Sequence, residues 1–288
     1  MEYHLGLNSE TNFDFKLFSE FSGVGMIRGE NLCIAKMQYF LNPEFCNYLT
    51  EYLIYVSKVF KNKNVWYRTA DLVPHQINVL DGCDMHIEES QYLIGNRGIR
   101  RNLQFYSTYL LELKAFFNAY REHNNLGILI PFVSNINEVI KVKEILNELG
   151  YEGKLGIMIE IPSLIFMLDE LNSLGIDNYT IGVNDLTSSI LGAKRDIDAY
   201  SINNEAVYKA IEYISEKIHS FDKKVTVAGY LNKEMLEFTK SIGVDILNVH
   251  YNEIPIVFDN ENPEFFEHHY NEIKANYKKL KKIKENNN

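Results

Sequence analysis

Two carboxylates, Glu160 and Asp185, stand at the ends of short apolar runs, Gly156-Ile157-Met158-Ile159-Glu160 and Tyr179-Thr180-Ile181-Gly182-Val183-Asn184. A charge that closes an apolar strand is costly unless it is paired or bound to something. Two carboxylates on adjacent strands would hold one oxygen-liganded divalent metal, with substrate and water completing the shell. Arginines occupy the same kind of position. Arg28 ends Gly23-Val24-Gly25-Met26-Ile27-Arg28, Arg68 ends Asn64-Val65-Trp66-Tyr67-Arg68, and Arg195 follows Lys194 in the loop after Asp185. Guanidinium groups from three elements can converge on one anion and grip it bidentately. A magnesium ion facing such a cluster suits a small phosphorylated or carboxylated molecule. The alternative is structural: Glu30 and Asp71 also follow these strands, and the arginines could simply pair with acids at a rim.

These residues need a scaffold that brings strand ends together. Eight apolar segments recur, the others being Tyr3–Leu7, Gly127–Phe132, Lys224–Ala228 and Asp245–His250. Their near-continuous apolar character predicts strands buried on both faces, as in a parallel sheet covered by helices. Amphipathic stretches separate them: 45–60, 103–120, 139–149, 164–174, 206–218 and 235–242. About eight alternations of strand and helix predict an α/β protein, a single-domain (β/α)8 TIM barrel, with an open doubly wound sheet as the alternative. The chain of 288 residues has no Pro/Ser-rich linker and no fixed repeat. The barrel is expected over 1–262. Residues 263–288 are expected to form a last helix and a lysine-rich tail.

Composition narrows the function. The hydrophobic share of 46% supports a sizeable core, and the formal net charge of -10 disfavours nucleic acid as a partner. Cys33, Cys46 and Cys83 are too few and too scattered for a disulfide framework or a zinc site. The N-terminus lacks a basic and an apolar leader region, and no run approaches the ~18 apolar residues that span a bilayer. A cytoplasmic protein without membrane partners is expected.

Five segments carry a resemblance: Gly23-Val24-Gly25-Met26-Ile27-Arg28-Gly29-Glu30, Val65-Trp66-Tyr67-Arg68-Thr69-Ala70-Asp71, Leu93-Ile94-Gly95-Asn96-Arg97-Gly98-Ile99-Arg100, Gly156-Ile157-Met158-Ile159-Glu160-Ile161-Pro162-Ser163 and Ile181-Gly182-Val183-Asn184-Asp185-Leu186-Thr187. In this order they resemble the phosphoenolpyruvate-binding barrel of the family containing pyruvate phosphate dikinase, phosphoenolpyruvate synthase and enzyme I of the sugar phosphotransferase system. The resemblance runs from about Leu5 to Val249. It implies that Arg28, Arg68 and Arg195 contact the phosphate and carboxylate of phosphoenolpyruvate. It further implies that Asn184 assists at the phosphate, that Glu160 and Asp185 ligate Mg²⁺, and that Arg97 supports the substrate side.

Three departures bear on function. The family's proton-donating cysteine at the end of the seventh strand corresponds to Ala228, and the glutamate of that motif to Tyr230. A missing general acid typically costs about 10²–10⁴-fold; Tyr230 and His250 are the residues that could replace it. The family's swivelling phosphohistidine domain has no counterpart in these 288 residues, so the phosphoryl acceptor is expected to be another chain or a small molecule. Gly29 and Lys194 also depart from the family pattern. The leading expectation is phosphoryl transfer between phosphoenolpyruvate and a histidine on a partner protein. The alternatives are a carbon–carbon lyase or aldolase acting on a pyruvate enolate, and a non-catalytic descendant that still binds the ligand. Barrels of this family often pair, which allows a homodimer.

Overall fold

The computed structural model describes residues 1–9, 18–83 and 95–261. Eight parallel strands close on themselves in chain order: β1 (Glu2–Leu7), β2 (Gly23–Arg28), β3 (Val65–Arg68), β4 (Leu126–Ile130), β5 (Leu155–Ile159), β6 (Asn178–Gly182), β7 (Val225–Ala228) and β8 (Ile246–Val249). β8 pairs with β1, with Leu5 opposite Val249. That closure establishes the barrel and removes the open-sheet alternative.

The helices are α1 (Gly29–Lys36), α2 (Pro43–Val59), α3 (Pro74–Ile77), α4 (Gly98–Gln104), α5 (Tyr106–Glu122), α6 (Ile136–Glu148), α7 (Leu168–Ser173), α8 (Val183–Leu191), α9 (Glu205–His219), α10 (Lys233–Ser241) and α11 (Ile254–Glu261). A 3₁₀ turn, Pro162–Met167, leads into α7. Their apolar faces cover the barrel. In α9, Val207, Ile211, Ile214 and Ile218 are buried at the three- and four-residue spacing of one helix face. Side-chain caps fix several starts. Asn135 and Glu138 form a reciprocal capping box on α6, and Asn232 accepts from the Met235 amide on α10.

Three expected boundaries shift. The stretch expected as one helix over 103–120 is two helices, broken at Phe105, whose backbone (φ -101°, ψ 56°) leaves the helical region. The segment from Gly29 to Lys36 is a helix that begins directly at the end of β2. The sixth strand stops at Gly182, and Asn184 and Asp185 lie in the first turn of α8 rather than at a strand end. The expected C-terminal helix, and Leu93 and Ile94, lie outside the described residues. Among the described residues no helix is long and apolar enough to cross a membrane.

The barrel interior is layered. His4, Asn178, Thr180, Thr226 and Asn248 are buried polar residues, and Thr226 donates to Asn178 Oδ1 at 3.2 Å. Met26, Trp66, Leu129, Met158 and Ala228 form a small apolar cluster of their own, apart from the main core.

Candidate active site

The C-terminal ends of the strands open into a cavity of about 640 Å³. Met26, Met158 and Ala228 contribute its apolar lining. Its charged lining comes from Arg28, Arg68, Arg97, Lys194 and Arg195, and from Glu30, Asp71, Glu160, Asp185 and Asp196. The ends of β2 and β3 set the first arginines, because Arg28 and Arg68 are direct partners in the strand register.

Arg68 is almost fully buried and forms an ion pair with Glu30. Glu30 lies in the first turn of α1, immediately beyond Arg28. Arg68 Nη1 also contacts the Met158 sulfur at 3.3 Å. Burial works against its charge, yet Glu30, Asp71, Glu160 and Asp185 outweigh that and hold the guanidinium above its ordinary range. Arg28 is in the opposite situation: burial, and then repulsion from Arg68, push its affinity for a proton down. Its Nη2 donates to His250 Nε2 at 2.6 Å.

Arg97 clamps Asp71 with two hydrogen bonds, Nε to Oδ1 at 2.9 Å and Nη2 to Oδ2 at 2.6 Å. Its Nη1 reaches Asp185 Oδ1 at 3.2 Å, and the guanidinium lies 4.6 Å from the centre of the Phe132 ring. Arg195, with a half-exposed side chain, approaches Asp185 Oδ1 at 3.1 Å from the other side. Burial raises the Asp71 carboxyl, but Arg97 more than reverses this and holds it below the usual range. The rim pairing considered as a structural alternative is therefore present, and the paired groups face one cavity.

Glu160, directly after β5, is almost completely buried and accepts from the Phe132 amide at 2.6 Å. Burial, and then the negative charge of Asp185, push its carboxyl above the carboxylate range. Gly182 makes room for it, since a Cβ there would stand 2.5 Å from Glu160 Oε2. Phe132 adopts φ 57°, a left-handed backbone that a non-glycine residue takes at a cost of about 1–3 kcal/mol. One strained residue thus aims its amide at Glu160 and its ring at Arg97. Asn184 Oδ1 accepts from the Tyr230 amide at 3.1 Å and from the Tyr200 hydroxyl at 3.4 Å, so its side-chain oxygen is held by two elements.

Of the residues expected from sequence, Arg28, Arg68, Arg97, Glu160, Asn184, Asp185 and Arg195 all line this cavity. His250 stands behind Arg28 without lining it. The Tyr230 side chain is half-exposed and lies outside the lining; only its backbone reaches the site, through Asn184. Glu30 and Asp71, read from sequence as acids that could pair with the arginines, belong to the arrangement as such partners, and Phe132 belongs to it without having been singled out. For the two acids the signal was their position after an arginine-ended strand. Phe132 gave none, because an aromatic after Pro131 reads as a continuing strand.

The profile of the PEP-utilising enzyme family, PEP-binding domain, matches residues 4–260. The chain belongs to the PEP-utilising enzyme family. Similar full-length proteins include a probable phosphoenolpyruvate synthase of Pyrococcus horikoshii, 28% identical over 253 residues, covering 82% of this chain and 31% of the relative. A phosphoenolpyruvate-dependent phosphotransferase system protein of Escherichia coli is 29% identical over 234 residues, covering 73% of this chain and 29% of the relative. The chain spans about a third of the length of these relatives of the PEP-utilising family. Among solved structures, a HpcH/HpaI aldolase/citrate lyase family protein from Burkholderia cenocepacia superposes with a TM-score of 0.54 at 9% identity, covering 86% of this chain and 87% of that one. A Haloferax volcanii malate synthase reaches 0.54 at 13% identity, covering 91% of this chain and 74% of that one. These two likenesses concern the barrel fold.

Proposed function

We propose that this PEP-binding domain is a Mg²⁺-dependent enzyme that moves a phosphoryl group between phosphoenolpyruvate and a histidine on a separate protein. The observation that carries the reading is one cavity lined together by Arg28, Arg68 and Arg195 and by the acidic pair Glu160 and Asp185. The donor set suits the ion. Glu160 and Asp185 are hard oxygen donors of like charge facing one space, and the charge of Asp185 adds to the cost of ionising Glu160, a cost that a divalent cation removes. Among the described residues no group of three or more His, Cys, Asp or Glu side chains forms a complete protein cage. Ligand and water oxygens would fill the remaining positions.

When bound there, Mg²⁺ would neutralise negative charge on the ligand's oxygens. The chain's own residues supply the rest. Arg28 and Arg68, neighbours in the strand register, present fixed guanidinium donors for the phosphate and carboxylate. Arg195 is the most exposed of the arginines and can close over the ligand from the mouth. Asn184, held by Tyr230 and Tyr200, offers its amide nitrogen toward the phosphate. Arg97 holds Asp71 and steers Asp185. Phosphoryl transfer asks mainly for charge neutralisation and alignment, and this set provides both.

Isothermal titration with phosphoenolpyruvate and with oxalate, with and without Mg²⁺, tests the site. Metal-dependent heat with both ligands is expected; heat that ignores the metal would overturn the reading. Phosphorylation of a candidate histidine protein by phosphoenolpyruvate tests the acceptor.

A second reading rests on Ala228. Together with Met26 and Met158 it gives the cavity an apolar patch where a proton donor would otherwise stand. An enolate formed there would be left to attack a carbon electrophile, which makes a carbon–carbon lyase or aldolase the competing assignment. Product formation from pyruvate and aldehydes separates the two.

A further inference from the structure

Beneath the turn that joins Arg68 to Asp71 lies an acid that makes no contact with the cavity. Glu112 on α5 is completely buried. Its Oε1 accepts two hydrogen bonds, from the Tyr67 hydroxyl at 2.7 Å and from the Ala70 amide at 2.7 Å. Its Oε2 is buried and has no hydrogen-bond partner. The Asn102 side chain holds the next peptide, donating to the Ala70 carbonyl at 3.3 Å, so Ala70 is gripped on both sides. Ala70 is flanked by the turn that delivers Arg68 to Glu30 and Asp71 to Arg97.

The asymmetry of the two oxygens suits a neutral acid better than a carboxylate. An ionised carboxylate would leave a bare charge on Oε2 in an apolar interior, the costliest arrangement a side chain can adopt. A neutral acid has a carbonyl-type oxygen, here Oε1 with two donors, and a hydroxyl, here Oε2. The titratable and charged groups that face it are Glu30 and Cys33 of α1, Cys46 of α2, Tyr67 of β3 and Tyr109 of α5. None of these is a cation. Burial, against the opposing hydrogen bonds from Tyr67 and Ala70, pushes the Glu112 carboxyl up to about 8.

We infer that Glu112 is a positioning residue: a neutral carboxylic acid whose carbonyl oxygen pins the Ala70 amide and so fixes the turn bearing Arg68 and Asp71. Its effect on phosphoenolpyruvate rests on the reading proposed above, but its protonation and its grip on Ala70 do not. Glutamine is the matching test residue, because its amide oxygen can take both donated bonds and it cannot ionise. Leucine has similar bulk and neither oxygen.

The first experiment needs no ligand. The Ala70 amide in ¹H–¹⁵N spectra of the full chain should move with pH, with a midpoint near 8, and should stay still in Glu112→Gln. A wild-type resonance that does not move between pH 5 and 10, or one that moves equally in Glu112→Gln, would overturn the proposal. The second is titration with phosphoenolpyruvate and Mg²⁺. Glu112→Gln should bind within about twofold of wild type, and Glu112→Leu should lose roughly tenfold or more while keeping its circular dichroism spectrum, the range expected for losing hydrogen bonds of this kind. Wild-type affinity in a folded Glu112→Leu would overturn the positioning role. If the unaltered chain fails to bind phosphoenolpyruvate, the functional reading falls and the Ala70 titration still decides the state and grip of Glu112.

Discussion

His250 and Arg28 meet across the seam of the barrel, Nη2 to Nε2 at 2.6 Å, although β1 runs between their strands. The contact depends on a missing side chain. A Cβ on Gly6 of β1 would stand 2.4 Å from the His250 ring, so only glycine lets the imidazole pass over this strand. Arg28, whose charge burial disfavours, thereby gains a neutral acceptor without gaining an acid that would compete with an anionic ligand.

Replacing His250 by alanine should therefore weaken phosphoenolpyruvate binding with little change in fold. A hydrogen bond to a charged group contributes about 1.5–3 kcal/mol, or roughly 10–100-fold in affinity. Gly6→Ala should show the same loss by displacing the ring. Titration calorimetry on both variants checks this, and unchanged affinity in both would remove His250 from the site.

Arg97→Lys should be far from conservative. Lysine cannot make the two parallel bonds to Asp71 and still reach Asp185. Breaking a buried ion pair on one side costs about 3–5 kcal/mol where no water can replace the partner. The variant should melt at a clearly lower temperature and lose affinity for metal and ligand together. Thermal unfolding with and without Mg²⁺ and phosphoenolpyruvate measures both effects.

Magnesium binding should strengthen with pH. Burial and Asp185 keep the Glu160 carboxyl protonated above its ordinary range, and a metal binds the ionised form. Affinity should rise by up to tenfold per pH unit below the folded-state value and level off above it, with proton release on binding. Titrations in two buffers of different ionisation enthalpy detect that proton. The stability link has the opposite sign. The folded chain holds a proton that the unfolded chain gives up at ordinary carboxylate pH, so this group costs nothing in acid and costs progressively more as pH rises toward its folded value. Glu160→Gln should remove both the metal dependence and this fall.

The eight strands could be read from sequence because burial on both faces leaves an apolar run that no amphipathic helix imitates. Arg28, Arg68 and Glu160 stood out as charges that terminate such runs, and the structure brings them to one cavity. Asn184 and Asp185 were placed one element too early, since Ile181-Gly182-Val183 reads as uninterrupted strand while the backbone turns into α8 at Gly182. Phe132 and Glu112 were invisible for different reasons. A left-handed φ leaves no trace in residue type, and a glutamate within an amphipathic helix reads as a solvent-facing position. The polar groups inside the barrel, His4 and Asn248 among them, were hidden within strands read as apolar.

Ala228→Cys tests whether this cavity forms the enolate of pyruvate and lacks only a proton donor. If pyruvate enolate forms against this patch, a thiol there can deliver a proton, and solvent deuterium should enter the pyruvate methyl group in the presence of Mg²⁺. The unsubstituted chain should exchange at least about a hundredfold more slowly, the lower end of what a general acid contributes. Proton NMR of pyruvate in deuterium oxide follows the exchange. Equal rates in both would mean that another residue supplies the proton.

The cavity lining carries as many acids as bases, and most of them already hold one another. An anion arriving by itself must pull arginines from their carboxylates and strand those acids, and a lone cation faces the mirror problem. A visitor bringing both signs swaps partners on each side and leaves nothing orphaned. On the proposed reading, such a pocket would act as an AND gate for charge: a metal and an anion should enter as a couple, and either one should bind poorly without the other.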